Sequence, residues 1–150
     1  MTHRVIFVCL GNICRSPTAH GIFEAKARAA GLDVEVESAG TGGWHVGEPP
    51  DRRMQAAAKA AGYDLSGLRA QQFVAGDFER FDAIYAMDRQ NLANIEALRP
   101  AGNTTPVTLF LDHGPSGRDE VPDPYFEGGF DAVVEMVAET CDALVRDLAR

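Results

Sequence analysis

The sequence predicts a single α/β domain over residues 1–150, a three-layer sandwich in which helices cover both faces of a four-stranded parallel sheet. Three observations carry that prediction. Short apolar runs with strand character alternate with longer stretches of helical spacing, the pattern of parallel strands joined by right-handed crossovers. The first of those runs, Val5-Ile6-Phe7-Val8, is apolar without alternation, as in a strand covered on both faces. No repeat, low-complexity tract or long linker divides the 150 residues, a length at which one domain buries roughly 70% of its unfolded surface.

The elements follow in order. After the first strand comes a turn with Gly11 and Asn12, and Ser16-Pro17 opens a helix, serine as N-cap and proline at the first helical position. That helix runs to Ala30 and stops at Gly31. Val34-Glu35-Val36-Glu37-Ser38 alternates as a strand does, and a Gly- and Pro-rich loop extends from Ala39 to Pro50. Asp51 to Ala61 is Ala-rich and helical, closed by Gly62; Phe81 to Met87 reads as a third strand; Asp88 can cap a helix that ends by Pro100. Thr105 to Leu111 is a fourth strand and Asp112 to Gly129 a long loop. Phe130, Val133, Val134, Val137, Cys141, Leu144, Val145 and Leu148 then fall on one face of a last helix, which makes Cys141 a core residue.

Composition bounds the function. A net charge of −8 argues against nucleic acid, which selects basic surfaces. It also requires that any anion site be built locally, from backbone donors and one or two cations. No apolar run approaches the ~20 residues that span a bilayer, and the N-terminus leads straight into a strand rather than a secretory leader, so a cytoplasmic protein without a membrane partner is expected. Three cysteines do not make a disulfide scaffold. No His/Cys/Asp cluster has ligand spacing, so neither metal nor other cofactor is expected.

Ligands of parallel sheets bind beyond the carboxyl ends of the strands, which is where Cys9 stands. The peptide N–H groups of Cys9-Leu10-Gly11-Asn12-Ile13-Cys14-Arg15-Ser16, between a strand end and a helix start, can curl around one anion. Gly11 and Asn12 tolerate the positive φ such a curl demands. Arg15 adds two parallel donors matched to phosphate oxygens. A thiolate at the focus of those dipoles is stabilised and can attack phosphorus directly. Cys9 alone would read as a small buried hydrophobe; with Arg15, the glycine and the Ser-Pro helix start it reads as a nucleophile.

The stretch Val8 to Pro17 resembles the phosphate loop of the low-molecular-weight protein tyrosine phosphatases. Ser38-Ala39-Gly40-Thr41 followed by Trp44, Asp123-Pro124-Tyr125, and Met87-Asp88 with Asn91-Leu92 match further segments of that family, in family order along nearly the whole chain. The resemblance implies a sheet ordered 2-1-3-4 and hydrolysis of phosphotyrosine, and of small aryl phosphates, through a phosphocysteine. Cys9 is then the nucleophile, Arg15 the phosphate clamp and Asp123 the general acid and later base, with Leu10, Gly11, Asn12, Ile13, Cys14 and Ser16 forming the phosphate loop. Asp112, Asp119 and Glu120 are alternative donors, and Asp123-Pro124 alone could be a mere turn.

Trp44, Tyr125 and Ile13 would border a slot for a phenyl ring, although a lone loop tryptophan also serves as a packing plug. Asn12 and Ser16 brace the loop in the family, Ser16 through a hydrogen bond to the sulfur, beside its reading as N-cap. Cys14 is placed to form a reversible, protective disulfide with Cys9. Many relatives carry a supporting histidine where this chain has Gly67, which leaves the role of Ser38 open. His3, His20, His45 and His113 are expected at the surface or in loops, His45 nearest substrate. The implied partner is a phosphotyrosine protein or peptide, met by a monomer or weak dimer.

Two other activities share this loop and fold. Arsenate reduction needs thiols that relay a disulfide outwards, and no cysteine lies between Cys14 and Cys141. The related bacterial arginine phosphatases carry threonine at the position of Ile13, so isoleucine favours phosphotyrosine. A phosphate-binding module without catalysis would not need Cys9, Arg15 and Asp123 together.

Overall fold

The computed structural model describes residues 1–150. The strands β1 (His3–Cys9), β2 (Val34–Gly40), β3 (Ala83–Ala86) and β4 (Val107–Leu109) form one parallel sheet in the order β2-β1-β3-β4. The helices are α1 (Arg15–Ala29), α2 (Arg52–Ala60), α3 (Asp77–Arg80), α4 (Arg89–Glu96), α5 (Pro124–Glu127) and α6 (Phe130–Leu148). No helix is long and apolar enough to cross a membrane.

The unbroken apolar run of β1 has a direct cause. Successive side chains of a strand point to opposite faces, and here both faces are covered. Val5, Phe7 and Cys9 enter the larger core with Phe23 of α1 and Val137 of α6. Ile6 and Val8 enter the smaller core with Phe78 of α3 and Ile95 of α4. Phe7 centres the larger one, its ring 5.5 Å from Phe23, 5.4 Å from Tyr85 and 5.5 Å from Phe110.

The structure moves several predicted boundaries. β3 and β4 are shorter than the runs 81–87 and 105–111. Pro106 has no N–H to give a ladder, and after Leu109 the chain coils into a 3-10 turn, Phe110–His113, that drives Phe110 and Leu111 into the core. α1 begins at Arg15 with Cys14 at the N-cap, so Ser16 is a helical residue and not the cap. Pro17 still costs nothing there, because the first N–H groups of a helix lack intrahelical partners. Asp51 precedes α2 and accepts from the N–H of Arg53 at 2.8 Å. The long loop 112–129 contains α5, capped by Asp123, whose Oδ1 accepts the Tyr125 N–H at 3.1 Å.

Candidate active site

Strand β1 ends at Cys9, between the carboxyl ends of β2 and β3, and the chain turns through residues 10–14 into α1. The carbonyls of that turn face outward and are held: Cys9 and Leu10 accept from Thr41 and Gly42 at 2.9 and 2.8 Å, and Ile13 accepts from Asp51 at 2.8 Å. The N–H groups of Leu10, Gly11, Asn12, Ile13 and Cys14 are donated to no group of the protein. A concave run of free amides at the start of a fifteen-residue helix is an anion cradle.

Asn12 has φ of 58°, the only non-glycine residue in the left-handed region. Its side chain holds it there, with Oδ1 accepting the Gln71 N–H at 3.0 Å and Nδ2 donating to Ser16 Oγ at 2.7 Å. Gly11 does not adopt a positive φ. A Cβ there would stand 3.0 Å from the His45 ring, which would have to give slightly. Gly40 is needed for space, because a Cβ on it would meet backbone, Leu10 O at 2.7 Å and the Gly11 carbonyl carbon at 2.9 Å. The end of β2 is thus packed against the back of the loop.

Cys9 Sγ lies 3.0 Å from Ser16 Oγ. Asn12 already donates to that oxygen, so the single hydroxyl hydrogen chooses between the sulfur and Ala39 O, 3.3 Å away. A thiolate can only accept, so it claims the hydrogen. Arg15 is 2% exposed. Its Nη1 donates to Asp88 Oδ2 at 2.6 Å and to Val121 O at 3.0 Å, and its Nη2 reaches Asp123 Oδ2 at 3.5 Å. Burial opposes the guanidinium charge, but Cys9, Asp88 and Asp123 together outweigh it and hold the pKa above its ordinary value. The Nε–Nη2 edge remains as a fork for two oxygens of an anion.

The sequence offers Asp88 as a helix cap and, within Met87-Asp88, as part of a segment that matches the family, but not as a partner of Arg15. It is both: Oδ1 accepts the Asn91 N–H at 2.7 Å while Oδ2 orients Arg15. Its position at the carboxyl end of β3 is the signal that marks it.

In front of the loop opens a cleft of about 290 Å³ lined by Leu10, Gly11, Trp44, His45, Asp123, Tyr125 and Phe126. Trp44 is 70% exposed and Tyr125 44% exposed, so neither is a packing plug. Ile13, expected on the floor, is buried and not among the lining residues. Tyr125 leans on Arg53, whose guanidinium is 5.5 Å from the ring centroid and paired with Asp51. His45 borders the cleft, and its Nδ1 lies 3.2 Å from Glu48 Oε2. Asp112, Asp119 and Glu120 do not line it.

The expectation of surface or loop positions for all histidines fails at His20. It is 8% exposed on α1, one turn beyond Ser16, with Nδ1 3.0 Å from Ser38 Oγ. Burial lowers its pKa to about 4, so it is neutral at pH 7. Gly67 is exposed and meets nothing, so the histidine that supports Ser38 comes from α1 instead. The link continues inward: Gln71 Nε2 donates to Ser38 O at 2.9 Å, and the Gln71 N–H holds Asn12. The signal missed was spacing, since residues four apart share a helix face. His113 is half-buried, bonded through Nε2 to Thr108 Oγ1 at 2.8 Å. Cys141 is fully buried in α6, as expected.

The model of the family described as low molecular weight phosphotyrosine protein phosphatase matches residues 4–150. The low molecular weight protein-tyrosine-phosphatase of Streptomyces coelicolor is 42% identical, over 97% of this chain and 93% of its own. The protein YfkJ of Bacillus subtilis, of the same description, is 38% identical over 97% and 96%. Its crystal structure superposes with a TM-score of 0.93, over 99% of this chain and 96% of that one at 37% identity. The Drosophila arginine phosphatase superposes with a TM-score of 0.88 at 33% identity, over 97% and 98%. On these similarities, and with a match that takes in the cradle, the cleft and the whole sheet, the chain belongs to the low molecular weight phosphotyrosine protein phosphatase family.

Proposed function

We propose that residues 1–150 form one phosphatase domain that hydrolyses phosphotyrosine in proteins or peptides through a phosphocysteine on Cys9. The observation that carries this reading is the placement of Cys9 Sγ, 3.0 Å from the Ser16 hydroxyl at the base of a loop whose amides are free. The phosphoryl oxygens sit on those amides and on the Nε–Nη2 edge of Arg15. Cys9 thiolate attacks phosphorus; the bond to the tyrosyl oxygen breaks, and the Asp123 carboxyl protonates the departing phenolate. Asp123, now a carboxylate, takes a proton from water as the water attacks the phosphocysteine. Phosphate leaves and Cys9 is again a thiolate, stabilised by the Ser16 hydrogen bond. Trp44 and Tyr125 flank the phenyl ring in the cleft. The chemistry calls for no metal or cofactor.

Supporting observations bear on the setting as well. All three cysteines are free, which suits a reducing cytoplasm. Burial, then Asp51, keep the Cys14 thiol protonated well above its usual range. In this reading Cys14 is inert in turnover and serves only to bridge Cys9 once the latter is oxidised. Arsenate reduction is disfavoured, because Cys141 is buried in α6 with its sulfur toward Ala19 O and offers no outward relay. The enzyme acts as a monomer or weak dimer.

The test is hydrolysis of matched peptides carrying phosphotyrosine or phosphoarginine. The reading predicts turnover of phosphotyrosine by the wild type and none by Cys9→Ser, which still binds phosphate. Preference for phosphoarginine would transfer the activity to the alternative that the Drosophila structure represents.

A further inference from the structure

The segment that carries Asp123 is tied down on the side away from the aromatic cleft. Glu120 Oε2 accepts the backbone N–H of Arg89, the first residue of α4, at 2.9 Å. The Arg89 guanidinium in turn meets the Asp119 carboxylate. Next in the chain, the Val121 N–H donates to Met87 O at 2.8 Å and the Val121 side chain is buried. Pro122 follows, with φ fixed by its ring, and then Asp123. Both acidic partners of Arg15 therefore hang from one corner, the junction of β3 and α4, which Asp88 and Glu120 cap together.

The geometry points to Glu120, with the Asp119–Arg89 pair, as the positioning device for Asp123. Neither Asp119 nor Glu120 lines the aromatic cleft; Glu120 borders the hollow beside it with Arg15, Asp88 and Asp123, and its carboxylate is engaged by the Arg89 N–H, so its part is to set where the proton donor stands. The inference rests on the reading of Asp123 as general acid. Energetically the device is light. A carboxylate at a helix N-terminus and an exposed ion pair such as Asp119–Arg89 each contribute little to stability. Losing either leaves the core intact. Placement is far more sensitive, since a misplacement of about 1 Å in a reacting group can cost on the order of a hundredfold in rate.

General acid catalysis matters in proportion to the basicity of the leaving group. A loosened Asp123 is therefore felt by phenyl phosphate, whose phenolate needs the proton, and hardly by p-nitrophenyl phosphate, whose leaving group departs as the anion. The slope of kcat/KM along a series of aryl phosphates reads that difference, and a merely structural role would lower every member alike.

The experiment measures this slope for the wild type, Glu120→Ala, Glu120→Gln, Asp119→Ala and Asp123→Ala. Glu120→Ala is expected to lose roughly fivefold on phenyl phosphate and less than about twofold on p-nitrophenyl phosphate. Glu120→Gln keeps a carbonyl acceptor for the Arg89 N–H and recovers most of the loss. Asp119→Ala gives a smaller steepening, and supplies the same reading if Glu120→Ala does not fold. Asp123→Ala steepens most. A wild-type slope, or an even loss across the series, in the Glu120 and Asp119 variants while Asp123→Ala steepens overturns the device and leaves Asp123 as donor. A flat Asp123→Ala removes the role of Asp123 and this inference with it.

Discussion

Ser16 is where the sulfur chemistry becomes a matter of one hydrogen atom. Its hydroxyl accepts from Asn12 and can donate once, to Cys9 Sγ or to Ala39 O. When phosphate leaves Cys9 the hydrogen moves onto the new thiolate, and a charge-assisted bond of this kind is worth about 1.5–3 kcal/mol. Ser16→Ala is therefore predicted to lower kcat by roughly tenfold or more with KM falling in step, while the first burst of phenol release persists. An unchanged burst-to-turnover ratio would contradict it. Gly40 presents the complementary case of a missing atom. A methyl group there would stand 2.7 Å from Leu10 O and 2.9 Å from the Gly11 carbonyl carbon, both backbone with nowhere to go. Gly40→Ala is expected to cost about 1–3 kcal/mol of stability and to weaken phosphate or vanadate binding, measured by competition against an aryl phosphate.

At the scale of elements, the strands and helices that carry binary patterning were readable and those set by tertiary contacts were not. β1 announced itself because a strand covered on both faces must be apolar throughout, and the structure splits its residues between two cores. Phe7→Ala is predicted to destabilise the fold by about 3–5 kcal/mol, read from denaturant unfolding, because three aromatic rings lose their common partner at once. The start of α1 was misread because Ser-Pro is a strong helix-opening signal, whereas here the serine hydroxyl is claimed by Cys9 and Asn12 and the helix opens earlier. α5 and the 3-10 turn carry no periodicity of their own. Of the residues gathered at the site, Cys9 and Arg15 stood out through the strand–loop–helix pattern that joins the end of β1 to the start of α1, and Asp123, Trp44 and Tyr125 through segments that resemble the family. The site roles of Asp88 and His20 did not stand out, because a helix cap and a helix face each offered a sufficient ordinary explanation, and only the meeting of β3, α1 and β2 shows the second role.

At the scale of the whole molecule, the site is a local exception to a chain of net charge −8. The attraction for a phosphate dianion comes from oriented amides and one buried guanidinium, not from the surface field, so activity is expected to survive EDTA. The same interior sets a pH response of stability. His20 has its pKa lowered from 6.5 to about 4 by burial, so between those values the unfolded chain binds a proton that the folded one refuses. Its contribution is complete above pH 6.5 and is lost as pH falls toward 4, up to about 3 kcal/mol. Urea unfolding across that range should show stability rising with pH, and His20→Asn should flatten the rise.

Acid quenching during turnover decides whether catalysis passes through a phosphoryl group on Cys9. Wild-type enzyme mixed with an aryl phosphate and quenched within the first turnovers is predicted to yield a phosphorylated peptide containing Cys9, in larger amount for Ser16→Ala, whose intermediate breaks down more slowly. Turnover that continues with Cys9 unmodified, or with the phosphoryl group on another residue, would contradict the account.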